Sequence, residues 1–452
     1  MKKKEHTPLS PLKRGMFKVS YYNIGCKVNY AEISSIVQEF IDNGAELVAF
    51  GEECDLILIN TCTVTHLADS DCRNIIRRTK RNVPNAKIAV MGCYAQMQPN
   101  KISEIEGVDY IFGNKEKFEI LNLIRNDIEK IKLESKNETK IYVSDLENSP
   151  FYSAFSAENG SRTRIVFKIQ DGCDYYCSYC TVAAARGPSR SMAPEQIKNT
   201  IYSIQNKGYK EIVLSGINLG DYKTSDGNRF IDVLKMIDEL DVNLRYRISS
   251  IEPNLLNEDI IKLVSNSKKI CPHFHIPLQS GSDEILKKMR RRYSKSLFEN
   301  RIEQIKKYIP DCCIGIDVIT GFPSETEANF DETYSLLSTL PISYLHTFTY
   351  SERSSTDAIN INPKVPHQEK KRRTLLLREL SEKKKLEFYQ TQIGKIKEII
   401  PENFDKKTKL YKGWSENYVH TAFFGNNELN NLFVQVKLNN IQNDFVIGEK
   451  LI

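Results

Sequence analysis

Ile165-Val166-Phe167-Lys168-Ile169-Gln170-Asp171-Gly172-Cys173-Asp174-Tyr175-Tyr176-Cys177-Ser178-Tyr179-Cys180 is an apolar run of strand length that leads straight into three bunched cysteines. The spacing Cys-x3-Cys-x2-Cys lets three thiolates cap three irons of a [4Fe–4S] cube. The fourth iron then lacks a protein ligand and can take a small molecule, the mark of a reactive centre. Structural zinc is the plainer alternative, but it takes a fourth Cys or His at short range. None occurs between Cys180 and the next strand-like run, Glu211–Ser215. Tyr179, between the last two cysteines, is placed to pack on a bound ligand or simply on the core.

Downstream, Glu211–Ser215, Arg245–Ser249, His273–Pro277, Ile314–Thr320 and Tyr344–Tyr350 are further strand candidates, most of them separated by helical segments. Six strands in this alternation predict an open or incomplete α/β barrel. Upstream, Phe17–Tyr22, Asp55–Asn60, Lys87–Met91 and Asp109–Phe112 alternate with helices. The first helix, 31–43, carries the stripe Ile33, Ile36, Val37, Phe40 and Ile41 and stops at Gly44. That pattern predicts a parallel sheet. The polar stretch 134–164 reads as a linker. His367–Gln390 reads as a basic helix with Leu375, Leu376, Leu380, Leu386 and Phe388 on one packed face. The short alternating runs after it predict a small all-β domain. The fold class is therefore α/β, in four parts: a parallel-sheet domain (16–133), a linker (134–164), an incomplete (β/α) barrel (165–388) and a β domain (389–452).

The chain has 452 residues, 40% apolar and 27% charged, the composition of a globular protein of several domains. No apolar run is long enough to span a membrane, and the basic start Lys2-Lys3-Lys4 is not followed by one, so neither a membrane protein nor a secreted one is expected. A cytoplasmic location follows, where eleven cysteines are reduced thiols rather than disulfides. The net charge of +6 is modest, but cations cluster at Lys287, Lys288, Arg290, Arg291 and Arg292, and again at Lys370, Lys371, Arg372 and Arg373. Each cluster is either a nucleic-acid contact or a solvated face.

Cys26, Cys62 and Cys93 are far apart in sequence, yet each follows the end of a predicted parallel strand. Ligands gather beyond the carboxyl ends of such strands, so the three can converge on one point. Gly25 and Gly92 directly precede two of them, allowing close backbone approach to a bulky group. The alternative is three ordinary buried cysteines. Cys54, Cys72, Cys271, Cys312 and Cys313 read as structural.

The Cys173/Cys177/Cys180 spacing resembles the radical S-adenosylmethionine superfamily. Gly25-Cys26-Lys27-Val28-Asn29, Asn60-Thr61-Cys62-Thr63-Val64 and Met91-Gly92-Cys93-Tyr94-Ala95-Gln96 resemble the N-terminal domain of its methylthiotransferases. His275-Ile276-Pro277-Leu278-Gln279-Ser280-Gly281-Ser282 and Asp317-Val318-Ile319-Thr320-Gly321-Phe322-Pro323 agree, and Gly413-Trp414-Ser415-Glu416-Asn417-Tyr418-Val419 resembles a TRAM module. Cys26-Lys27-Val28-Asn29 and Ser215-Gly216-Ile217-Asn218-Leu219-Gly220-Asp221-Tyr222 look most like the subgroup acting on N6-threonylcarbamoyladenosine beside the tRNA anticodon. Subgroups acting on isopentenyladenosine or on a ribosomal-protein aspartate are the alternatives within the family. A non-catalytic iron–sulfur RNA-binding protein is the alternative from another class.

The resemblance implies two [4Fe–4S] clusters and S-adenosylmethionine. Cys173, Cys177 and Cys180 would hold the cluster that cleaves the cofactor, and Cys26, Cys62 and Cys93 the one that holds or supplies sulfur, both facing one cavity. It also implies tRNA as a partner, an electron donor such as flavodoxin or ferredoxin, a sulfur donor the sequence does not identify, and a monomer. Catalytic groups of such barrels lie at the carboxyl ends of strands. Gly216, Asn218, Ser249, Glu252, Gln279 and Asp317 are there and, with Tyr179, are the candidate cofactor or substrate contacts; Arg247 is the simplest structural partner for Asp317. Arg290, Arg291, Arg292, Arg372, Arg373, Trp414 and Tyr418 are the candidate RNA contacts.

Overall fold

The structure, a computed structural model, describes residues 17–130, 138–156, 163–425 and 429–451. It divides into two compact units, Met1–Asn159 with Thr181–Pro188, and Gly160–Cys180 with Ser189–Ile452.

The N-terminal unit is a six-stranded, all-parallel sheet in the order Glu46–Leu47, Lys18–Asn23, Leu56–Thr61, Lys87–Gly92, Tyr110–Phe112, Lys140–Tyr142. Both faces are covered, which is why Leu56-Ile57-Leu58-Ile59 is a continuous apolar run, every residue of it buried. Helix Lys27–Asp42 buries Ile33, Ile36, Val37 and Phe40 on one side, as their spacing dictates. It begins four residues earlier than the apolar stripe suggests, because Cys26 takes the N-cap position.

The linker reading of 134–164 needs correction. Lys140–Tyr142 is the sixth strand, paired to Tyr110–Phe112, and Tyr142 stacks on Phe112 at 5.1 Å. Three residues are too few to show an alternation in sequence. Ser161 and Lys2–Lys4 lie outside the described residues.

In the second unit, Arg164–Lys168, Glu211–Ser215 and Arg245–Ile248 pair in parallel, as do His273–Gln279, Cys313–Thr320 and Tyr344–Thr349. Bridges Tyr246–Ile270 and Ser250–His275 join the two sets into an open six-stranded barrel. Side chains alternate: Phe274, Ile276, Ile314, Ile316 and Val318 are fully buried, whereas His275 and Asp317, between them in sequence, are half-buried on the other side of the strands.

Ile396–Asp405, Leu410–Ser415, His420–Phe424, Val434–Gln442 and Phe445–Lys450 close a small separate barrel. It is bolted to the large one. Arg245 donates to the carbonyls of Glu398 and Trp414, and Arg247 to those of Ser415 and Glu416, while both pair with the buried Glu211.

Helix His367–Gln390 does not pack as its leucines suggest. Leu375 and Leu386 are exposed, and the buried line is Lys370, Arg373, Thr374, Leu377, Leu380, Ser381, Lys384 and Phe388. Arg373 is buried among Glu325, Glu327 and Glu369, and Lys384 donates to the carbonyls of Ser338 and Leu340. Those partners make burial of cations tolerable, a pattern that apolar periodicity cannot reveal.

Candidate iron–sulfur and cofactor sites

Cys26, Cys62 and Cys93 each follow a strand of the N-terminal sheet, beyond Asn23, Thr61 and Gly92. A Cβ on Gly25 would lie 3.2 Å from Cys62 Cβ, and one on Gly92 would lie 2.4 Å from Asn60 Oδ1; both glycines have positive φ, +129° and +96°. These two positions therefore require glycine. Cys26 is exposed, Cys62 partly so and Cys93 buried, a set open on one side. Burial pushes the Cys62 thiol up to about 12, and a bound metal ion would favour its thiolate.

Beneath these cysteines is a buried charge network. Arg186 holds Glu32 through both carboxylate oxygens at 2.9 Å and donates to Asn29 Oδ1 at 2.5 Å. Lys117 donates to Glu32 at 2.6 Å and to Asn114 Oδ1 at 2.7 Å. Asn114 Nδ2 in turn faces Cys93 Sγ at 3.6 Å, and Asn29 Oδ1 is 3.7 Å from Cys26 Sγ. Sequence reading missed this network because its members lie up to 157 residues apart.

In the second unit the cysteine loop starts from Gln170, whose Oε1 accepts the N–H groups of Ile217 and Asn218 at 2.8 Å each. Its Nε2 donates to the Gly172 carbonyl at 2.8 Å. One fully buried amide thus ties the cysteine loop to the 216–218 turn, and the close approach leaves no room for a side chain on Gly216. The far end of the loop is pinned by Ser178, which bonds the carbonyls of Lys288 and Met289. Burial pushes the Cys173 thiol up to about 12.

Both Asn218 amide atoms and Ser249 Oγ are buried with no protein partner. Unsatisfied buried polar atoms are costly, and here they gather at strand ends where a polar ligand would satisfy them. This fits a cofactor with amino, carboxylate and ribose groups. A single zinc held by three thiolates would bring the sulfurs to within about 3.8 Å of one another. Among the described residues the trio of ligand atoms that meets within 4.8 Å is His275, Asp317 and His346, not either cysteine triplet.

The remaining predicted residues fall in several places. Glu252 forms a buried ion pair with Arg291, and Arg291 donates to Cys177 Sγ at 3.2 Å and approaches Tyr179 Oη at 3.5 Å. Tyr179 also meets Phe322 edge-on. Gln279 sits at a bulge with φ +66°. Asp317 pairs with His275 at 3.0 Å, not with Arg247, which is committed to Glu211.

Three of the RNA contacts read from sequence need correction. Arg291 is buried beside Cys177, where it balances Glu252. Arg373 is buried among three glutamates. Tyr418 packs on His273 at 4.5 Å and lies under the Arg247 guanidinium. Trp414 stacks on Tyr418 and His420, so its ring is at least partly engaged within the protein. Arg290, Arg292 and Arg372 are exposed, paired respectively with Asp357, the Asp174 carbonyl and Glu327/Glu369.

Residues 167–337 match the radical SAM superfamily, and residues 18–113 match the uncharacterized protein family UPF0004. Threonylcarbamoyladenosine tRNA methylthiotransferase MtaB of Bacillus subtilis is 36% identical to this chain, over 94% of each. Its namesake in Aquifex aeolicus is 36% identical over 87% of this chain and 97% of that one. The tRNA-2-methylthio-N(6)-dimethylallyladenosine synthase of Christiangramia forsetii is 31% identical over 98% and 96%. Among solved structures, the radical S-adenosylmethionine methyltransferase TsrM of Kitasatospora setae shares the fold, with a TM-score of 0.54 at 12% identity over 76% of this chain and 74% of that one. With the cysteines at the sheet and barrel ends and relatives matched along nearly its whole length, this chain belongs to the methylthiotransferase family of radical S-adenosylmethionine enzymes.

Proposed function

We propose that this enzyme adds a methylthio group to the adenine C2 of N6-threonylcarbamoyladenosine next to the tRNA anticodon. The observation that carries the choice of nucleoside is the 34–36% identity to three relatives named for threonylcarbamoyladenosine, against 31% to the dimethylallyladenosine synthase just described. Cys173, Cys177 and Cys180 hold one [4Fe–4S] cluster, and Cys26, Cys62 and Cys93 the other. When bound, the clusters and S-adenosylmethionine supply one-electron cleavage of the sulfonium, the sulfur and the methyl group.

The chain's own residues do the positioning. Gln170 fixes the turn that presents Asn218. Arg291 orients Glu252 and donates to Cys177 sulfur, which stabilises a thiolate ligand. Ser249, Asn218 and Gln279 offer polar contacts to the cofactor. The small β barrel and the exposed Arg290, Arg292 and Arg372 hold RNA through its phosphates, so affinity falls steeply with salt. The enzyme works as a cytoplasmic monomer, with flavodoxin or ferredoxin as the electron donor.

Nucleoside mass spectrometry tests the reading directly. Reconstituted enzyme incubated with tRNA bearing threonylcarbamoyladenosine should yield its 2-methylthio derivative; product only from dimethylallyladenosine, or only on a ribosomal protein, would refute it. The ligand assignment has its own test. Anaerobically reconstituted protein should bind about eight irons, and the triple change of Cys173, Cys177 and Cys180 to Ala should leave about four. Retention of all eight would remove these cysteines from that role.

A further inference from the structure

The buried network beneath Cys26, Cys62 and Cys93 is given no role by the assignments above. It turns on Asn114, two residues past the strand Tyr110–Phe112, which is the neighbour of the strand that leads into Cys93. Gln96 Oε1 accepts the Asn114 backbone N–H at 2.8 Å, and a Cβ on Gly113 would lie 2.5 Å from that same oxygen, so the turn is held close. Its neighbours dictate which way the Asn114 amide points. Lys117 Nζ is 2.7 Å from Oδ1, and an ammonium only donates, so that end is the oxygen. The Ala185 carbonyl is 2.6 Å from Nδ2 and only accepts, so that end is the nitrogen. The second N–H of the amide is directed at Cys93 Sγ, 3.6 Å away. Lys117 is held in turn by Glu32 at 2.6 Å, and Glu32 by both arms of Arg186 at 2.9 Å. Asn114, Lys117, Glu32 and Arg186 are all buried, which strengthens each of these contacts.

A hydrogen bond to a ligating sulfur draws charge from the thiolate and favours the electron-richer state of an iron–sulfur cluster. Such bonds, with nearby charges, are how a protein sets a cluster's potential. Holding the helix Val182–Arg186 in place would need only the Arg186–Glu32 pair. It gives no reason for an amide aimed at a sulfur. We infer that Asn114 is a positioning residue that donates to Cys93 and raises the reduction potential of the cluster held by Cys26, Cys62 and Cys93, while Lys117, Glu32 and Arg186 fix its amide and add their charges. This rests on the proposed ligand assignment. The step it governs is the transfer of one electron: the cluster gains it and an external reductant loses it. No bond to Asn114 forms or breaks, and no proton moves.

The experiment uses the full chain with Cys173, Cys177 and Cys180 changed to Ala, a parent protein that should hold about four irons, all in the N-terminal cluster. Poising with dithionite and mediators, read by electron paramagnetic resonance of the reduced cluster, gives the ratio of reduced to oxidised form at each potential. At the midpoint of the parent, Asn114→Leu should lower that ratio about tenfold, equal to about 59 mV for one electron. Asn114→Asp keeps an oxygen for Lys117 but turns a second oxygen and a negative charge on Cys93, and should lower the ratio further. Glu32→Gln removes a negative charge and keeps both cations, and should raise it. Loosened structure would move all three variants the same way, so opposite signs separate charge from scaffold. Iron content and melting temperature check folding, and either Asn114 variant with its iron intact suffices for the comparison. Equal ratios in all four proteins, or shifts of one sign throughout, would overturn the inference and leave the ligand assignment standing. A parent protein that binds no iron would overturn both.

Discussion

Cys62→Ala is expected to abolish formation of methylthiolated nucleoside while reductive cleavage of S-adenosylmethionine continues. Cys62 follows the central strand Leu56–Thr61 of the N-terminal sheet. Every proposed cofactor contact, from Tyr179 to Asp317, belongs to the other compact unit. Removing one of three thiolates should cost the N-terminal cluster, so that bound iron falls from about eight to about four. The change itself is small: Cys62 lies outside the buried apolar cluster that includes Ile57 and Ile59, and its backbone carbonyl still receives the Cys72 thiol. The melting temperature should therefore move little once iron content is allowed for. Separate assays of 5′-deoxyadenosine and of the modified nucleoside check the expectation. Loss of both products in a folded protein would contradict the division of labour between the two cysteine sets.

Much of this arrangement was legible in sequence because its signals are local or periodic. Strand ends at Asn23, Thr61 and Gly92 follow from short apolar runs, and the six barrel strands fall within about two residues of their expected bounds. The polar side of the barrel was half legible. Asp317 is at an expected strand position, but His275 and His346 carry no signal until register pairs their strands. The misreadings share one cause. Arg291 and Arg373 look like surface cations in sequence, and each is buried because a carboxylate from a distant segment meets it. Charge clusters mark solvent only when no such partner exists, and partners dozens of residues away are invisible to composition. Tyr418 fails for a related reason: an aromatic of the small barrel is spent on His273 of the large one.

That junction supplies the second large effect. Glu211→Gln should destabilise the enzyme by about 3–5 kcal/mol, the usual cost of removing one partner from a buried ionic group. Glu211 is fully buried and is the carboxylate that pairs with both Arg245 Nε at 2.6 Å and Arg247 Nε at 2.9 Å. Glutamine keeps the shape and leaves two guanidinium groups in the interior, balanced by backbone carbonyls and, for Arg245, by the Glu398 carboxylate at 4.0 Å. Those carbonyls belong to Glu398, Trp414, Ser415 and Glu416, so the attachment of the small barrel should loosen first. Burial by itself would raise the Glu211 pKa, but the Arg247 and Arg245 charges outweigh it and hold the carboxyl below its ordinary range. A carboxyl with a depressed folded-state pKa stabilises the fold above the unfolded value, about 4.3, and that contribution disappears as pH falls below it. Wild-type stability should therefore decline through the acid range more steeply than that of Glu211→Gln, and the gap between the two should narrow as pH drops. Anaerobic melts followed by circular dichroism, from neutral pH down to about pH 3, below the unfolded carboxyl value, read both the offset and the slope. A variant as stable as wild type at neutral pH, or a gap that widens in acid, would show that this ion triad does not hold the two barrels together.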